Sequence, residues 1–194
     1  MFISNKKFKN LTFPNKIIKK ITIILLIFFL TLPIFSNSNI FNHNDNIEVG
    51  FSPGNAKTII LNAIKEAKKS IEIAAYSFTN KDISTILVKS YKKGINIRII
   101  ADKKANSGKY TAVTYLANNN IPIRLNNNYA IMHNKFIIID HKSVETGSLN
   151  YTQNAMNRNA ENVIYFRNKP NVSEKFLLEF NRLWSESKNL NPKY

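Results

Sequence analysis

The sequence contains no cysteine. That absence removes disulfides, thiol nucleophiles, iron–sulfur clusters and thiolate zinc sites together. Acidic residues are scarce: 12 Asp and Glu stand against 28 Lys and Arg, a formal charge of +16. Such an excess suits a polyanionic partner, nucleic acid or an anionic lipid surface, and charge alone does not choose between them. Also missing is an unbroken apolar run of the ~20 residues that a membrane-spanning helix needs. What is present is a globular composition, 44% hydrophobic, 21% charged and 11% aromatic, in 194 residues, enough for one compact core.

The longest apolar stretch, Ile21 to Phe35, is interrupted by Thr31 and Pro33 and follows six lysines, with no acidic residue before Asp45. A charged segment, an apolar segment and then Ser36-Asn37-Ser38, with small residues where a signal peptidase reads, predict a signal peptide over 1–38 cleaved near Ser38. An uncleaved membrane anchor is the alternative. A cleaved signal implies a secreted or periplasmic protein whose mature domain is 39–194. From residue 39 onward 22 basic residues face 12 acidic ones, so the mature charge is about +10. The excess is concentrated in 57–109, which reads either as solvated helix faces or as a more positive surface.

Helix and strand patterns alternate along that domain. Ile59, Ile60, Ala63, Ile64 and Ala67 recur at helical spacing, and Ser70 to Phe78 reads as a buried strand. Asn80 is placed to cap a second helix carrying Ile83, Ile86, Leu87 and Tyr91, ended by Gly94 before the β-branched run Ile95 to Ile100. Further on come a helix over Tyr110 to Ala117, a short strand over Ile121 to Leu125 and a long one over Ile131 to Asp140. A strand over Asn162 to Phe166 and an amphipathic helix marked by Phe176, Leu177, Phe180, Leu183 and Trp184 close the chain. The prediction is an α/β fold: a mixed, mostly parallel β-sheet sandwiched between helices.

The chemistry gathers in the long strand. His133 and Lys135, two residues apart on an extended segment, point to one side and can address one ligand, whereas Asp140 points to the other. A cation beside an imidazole suits a phosphate: the lysine neutralises non-bridging oxygens while the imidazole attacks phosphorus or donates a proton. Ser148 and Asn150, again two apart, offer neutral donors, and Glu161 is a carboxylate able to fix an imidazole tautomer.

His133-x-Lys135-x4-Asp140, then Gly147-Ser148-x-Asn150 and Glu161-Asn162, resembles the signature of the phospholipase D superfamily, in particular its small exported bacterial members with one motif copy. The resemblance runs from about Val49-Gly50-Phe51-Ser52-Pro53 through Ala75-Tyr76-Ser77-Phe78-Thr79 to the C-terminal helix. It implies a phospholipase D-like fold and a phosphodiesterase working through a phosphohistidine. By the same resemblance His133 is the nucleophile, Lys135, Ser148 and Asn150 bind phosphate, and Glu161 orients a histidine. Asp140 is counted with the catalytic motif, although strand alternation assigns it a structural role.

Two imidazoles are needed, one to attack and one to protonate the leaving oxygen, and there is only one His-x-Lys here. A homodimer with the active site on its two-fold axis supplies the second. His43 and His141, with no lysine or carboxylate pattern around them, are expected to be solvent-exposed. Neither a cofactor nor a metal is implied, because lysines and a protonated histidine provide the positive charge. The substrate stays open between phospholipid and nucleic acid. The loop Asp102-Lys103-Lys104-Ala105-Asn106-Ser107-Gly108-Lys109 could track a nucleic-acid backbone, and Tyr129-Ala130-Ile131-Met132 could form an apolar rim for lipid. A catalytically inactive, basic nucleic-acid- or membrane-binding protein is the alternative, although none of the mapped positions is substituted.

Overall fold

The computed structural model describes residues 46–108 and 111–191, so the predicted signal segment, His43, Lys109 and Tyr110 lie outside the described residues. Eight strands form one sheet in the order β1-β7-β6-β5-β2-β3-β4-β8. They are β1 (Ile47–Ser52), β2 (Ser70–Ala75), β3 (Asn96–Asp102), β4 (Ile123–Asn126), β5 (Phe136–Ile139), β6 (Ser143–Gly147), β7 (Glu161–Phe166) and β8 (Lys188–Asn189). The described helices are α1 (Ala56–Glu66), α2 (Lys81–Lys92), α3 (Ala112–Asn118), α4 (Gln153–Asn157) and α5 (Pro170–Glu186).

The α/β class and the mixed sheet are as expected, but its balance is not: two strand pairs are parallel and five antiparallel. The parallel part, β2-β3-β4, is built by the helix crossovers that the alternating pattern announces. Three of the five antiparallel pairs involve β1 or β6, which the hydropathy pattern does not reveal. In Ser143-Val144-Glu145-Thr146-Gly147 three of five side chains are polar and one is absent. A tight hairpin joins β5 to β6, with Asp140 (φ 53°) and His141 (φ 56°) both left-handed, the backbone that matches right-handed strand twist.

Strand alternation divides the core into two layers. Ile71, Ile73, Ile97, Ile99, Ile137 and Ile139 face α1 to α4, while Ala74, Ile100, Phe136, Ile138 and Val144 face α5 through Phe180 and Leu183. Local signals set the helix boundaries. The Asn80 side chain accepts from the Asp82 and Ile83 N–H groups, as the sequence predicts, and Thr111 caps α3, which therefore starts at Ala112. Pro170 opens α5, where its missing N–H costs nothing. No helix among the described residues is long and apolar enough to cross a membrane.

Candidate active site

The long strand expected over Ile131 to Asp140 is shorter: sheet pairing begins at Phe136, opposite Ala74 on one side and Thr146 on the other. Residues 131–135 leave the ladder because other groups take their backbone. The Met132 N–H donates to Asp102 Oδ2 (2.9 Å), and the Lys135 carbonyl accepts from Thr146 Oγ (2.9 Å). His133 is thus fixed between two anchored neighbours, and its shared side with Lys135 comes from a common contact rather than from strand alternation. Tyr76, just past the end of β2, supplies that contact: its ring lies 4.7 Å from the His133 ring and 5.5 Å from Lys135 Nζ.

The two functional groups differ in environment. His133 is exposed and its imidazole makes no hydrogen bond among the described residues. Lys135 is buried, and its ammonium donates to the His133 carbonyl (2.7 Å). Burial pushes the Lys135 pKa below its ordinary value, opposed by the negative charge of Glu161. A partly desolvated ammonium next to an uncommitted imidazole is a strong electrostatic site for an anion.

Ser148 and Glu161 form the opposite wall. Ser148 Oγ donates to Glu161 Oε2 (2.6 Å) and accepts from the Asn162 N–H (3.1 Å), while Asn159 Nδ2 donates to Glu161 Oε1 (3.1 Å). The close approach of β6 and β7 needs Gly147, where a Cβ would collide with the Asn162 carbonyl oxygen. Glu161 therefore holds Ser148 and faces Lys135 electrostatically; among the described residues of one protomer it makes no hydrogen bond to His133. Asn150 is half-buried, and its Oδ1 is enclosed without a hydrogen-bond partner.

Asp140 stands apart. Its carboxylate accepts from the backbone N–H groups of Lys68, Lys69 and Ser70 at 2.7–3.1 Å. Ser70 and Tyr76 are six residues apart along β2, so Asp140 lies about 20 Å from the imidazole end of the sheet. Its inclusion in the catalytic set is corrected; the structural role read from alternation is what the geometry gives. Burial pushes its pKa up, but the Ser70, Lys69 and Lys68 N–H groups and the Lys142 charge outweigh this and hold the carboxyl below its usual value.

The sequence reading missed Tyr76 as a site residue and missed two loop residues that build the site. Asn106 donates to the Tyr76 carbonyl (2.6 Å) and accepts from the Phe78 N–H (3.0 Å), and Asp102 pins Met132. The loop 102–109 was read for its lysines, yet Asp102 and Asn106 carry its structural weight; Lys103 and Lys104 are exposed. His141 is exposed, as expected, and its Nε2 lies 3.1 Å from Oε1 of the buried Glu72, a carboxylate far away in sequence that no local pattern shows.

A family model described as "Cardiolipin synthase, PLD-like domain" matches residues 60–184. The chain belongs to the phospholipase D superfamily. It is 35% identical over 133 residues to a phospholipase D of Rickettsia prowazekii, a match covering 68% of this chain and 64% of that protein. It is 31% identical over 127 residues to the mitochondrial cardiolipin hydrolase of Mus musculus, covering 66% of this chain and 57% of that one. The chain thus spans about three fifths of the length of these curated relatives. Among solved structures it is similar to Nuc from Salmonella typhimurium, a phospholipase D family member, with TM-score 0.73 and 40% identity over 75% of this chain and 97% of that one. This phospholipase D-like domain has its motif histidine and lysine at one end of the sheet and its motif aspartate at the other.

Proposed function

We propose that this protein is a phosphodiesterase that hydrolyses its substrate through a phosphohistidine on His133. The observation that carries the reading is the pairing at Tyr76 of an exposed, uncommitted imidazole with a buried ammonium. A His133 ring nitrogen attacks phosphorus, the bond from phosphorus to the leaving oxygen breaks, and that oxygen takes a proton from a second imidazole. Water then attacks the phosphohistidine, the second imidazole accepting its proton and the phosphorus–nitrogen bond breaking. Lys135 and Ser148 stabilise charge on the non-bridging oxygens, with Asn150 as a further donor. The positive charge of the reaction comes from Lys135 and imidazolium.

The second imidazole is supplied by the second copy in a homodimer. An apolar stripe supports this: Ile47, Val49 and Phe51 on edge strand β1 are 48%, 50% and 60% exposed. In the β1–β7 register Phe51 lies opposite Asn162 and Ser52 opposite Glu161, so the stripe runs up to the site. Burying it between two copies would bring the two sites together.

For the substrate, Lys103 and Lys104 on a loop clamped beside Tyr76 favour a nucleic-acid backbone. A second reading, phospholipid, is favoured by Ile131, 48% exposed two residues before His133. Export to a secreted or periplasmic location accompanies either reading. Assays of the purified protein against DNA, RNA and phosphatidylcholine, with His133→Asn as control, decide among them. No turnover of any diester by the native chain, or equal turnover by the variant, overturns the enzymatic reading and leaves a basic binding protein.

A further inference from the structure

A groove of about 740 Å³ lies between α1 and α2 and the segments that lead from them into β2 and β3. Its apolar lining is Leu61, Ile86 and Ile95, all half-buried. Around these stand Lys65, Lys68, Lys89 and Lys93, each exposed and none ion-paired among the described residues. The one acidic residue of the lining, Asp82, is already paired with Lys57 at 2.6 Å. Glu66, adjacent to Lys65, is held by Arg167 and the Tyr165 hydroxyl. Each helix runs antiparallel to the strand that follows it, and β2 and β3 are parallel, so α1 and α2 run the same way. The four lysines therefore collect at one end of the groove, while Leu61 extends it towards the other. Helix dipoles favour cations at these C-terminal ends, but they do not account for an open apolar floor beside them.

We propose that this groove binds the anionic headgroup and proximal acyl chain of an acidic phospholipid, at a site separate from the active site. Charge complementarity selects the occupant. Four unpaired ammonium groups ask for an anion, which excludes the chain's own lysine-rich residues 1–44, where no carboxylate occurs. A second copy is a poor match, since of the C-terminal helix carboxylates Glu179 and Glu186 are engaged by Arg182, leaving Glu174 alone to face four lysines. Lysines act as compact point charges on phosphate, and the apolar floor distinguishes an amphiphile from a bare anion. The site lies at the start of β2 and β3, the end of the sheet remote from Tyr76. Its occupation would let the protein sit on an anionic membrane while His133 stays free.

Amide NMR of the full chain carrying His133→Asn, which leaves the probe intact, tests this with dihexanoylphosphatidylglycerol below its micelle concentration. Saturable shifts at Leu61, Lys68, Ile86 and Lys93 are expected, with little response to dihexanoylphosphatidylcholine. Lys89→Gln/Lys93→Gln should raise Kd about tenfold or more, whereas Lys175→Gln/Lys188→Gln, an equal loss of charge elsewhere, should not. In the native background the first double variant should keep its activity on a soluble diester. Shifts confined to Tyr76 and His133, equal weakening by both double variants, the same affinity for inorganic phosphate, or binding of an acidic amphipathic peptide in place of the lipid would each overturn the proposal.

Discussion

The two ends of strand β2 make opposite use of polar groups. At its start, the Asp140 carboxylate is saturated by three backbone N–H groups. Past its end, the His133 imidazole makes no hydrogen bond among the described residues and the Lys135 ammonium is buried, donating to one backbone carbonyl. A satisfied charge holds structure; an unsatisfied one is free to bind and react. Residues seven apart in one motif therefore stand in different settings, the aspartate holding the hairpin and the start of β2 while the proposed nucleophile and phosphate-binding lysine lie at the other end.

Substitutions at the two ends test that contrast. The largest effect is expected from His133→Asn, which should cut diester hydrolysis by at least about 10³-fold with the melting temperature unchanged. Lys135→Met should lower kcat/KM by about 10²-fold or more without destabilising the fold, since it removes a buried charge as well as a phosphate ligand. Because burial depresses the Lys135 pKa, native activity should decline on the alkaline side before an ordinary lysine would titrate. If Lys135→Met unfolds the protein while retaining activity per folded molecule, the contrast fails.

Asp140→Asn should do the reverse, costing about 1–2 kcal/mol in urea unfolding, discounted for the solvent around this carboxylate, with kcat within about twofold. Its sign with pH is fixed by a folded pKa held below the unfolded value. The contribution is present above the ordinary carboxylate range and is lost as pH falls through the folded pKa, so the native chain should lose more stability on acidification than Asp140→Asn. A large drop in kcat with stability intact would return Asp140 to the catalytic set.

The smallest effect is a slope. Glu145, fully buried under β6, is pushed up to about 8 by desolvation, against the hydrogen bond it accepts from the Tyr151 hydroxyl (2.9 Å). Its folded pKa exceeds the unfolded value, so its contribution is full below the ordinary carboxylate pKa and is lost as pH rises towards 8. Glu145→Gln should flatten the stability decline over that interval, as read by thermal melts across pH. An unchanged slope would mean that Glu145 is already ionised.

The α/β class was legible because isoleucine-rich strands and amphipathic helices alternate, and the site was legible because its residues sit at fixed intervals on one stretch of chain. β1 and β6 were not: β6 carries one apolar side chain among Ser143, Glu145, Thr146 and Gly147, and β1 alternates with its apolar residues Ile47, Val49 and Phe51 turned outward. The 131–135 segment was mistaken for strand because its apolar residues look like strand, while what ends the ladder is a hydrogen bond from Met132 to Asp102, thirty residues away in sequence. Tyr76 and Asn106 escaped notice for the same reason, since their partners come from other loops. Glu161 was found, but its bond to Ser148 was not, because sequence order cannot say which side chain a carboxylate meets within its own chain.

The tight seam between β6 and β7 has a consequence for how this protein tolerates mutation. Even one methyl group at position 147 would drive the backbones apart and carry Ser148 away from Glu161, so a saturation library there should return a single viable amino acid. Exposed positions away from the site and from β1, such as Lys175 and Lys188, should accept many. Such a library would measure steric tolerance at the catalytic rim by survival alone, before any substrate is identified.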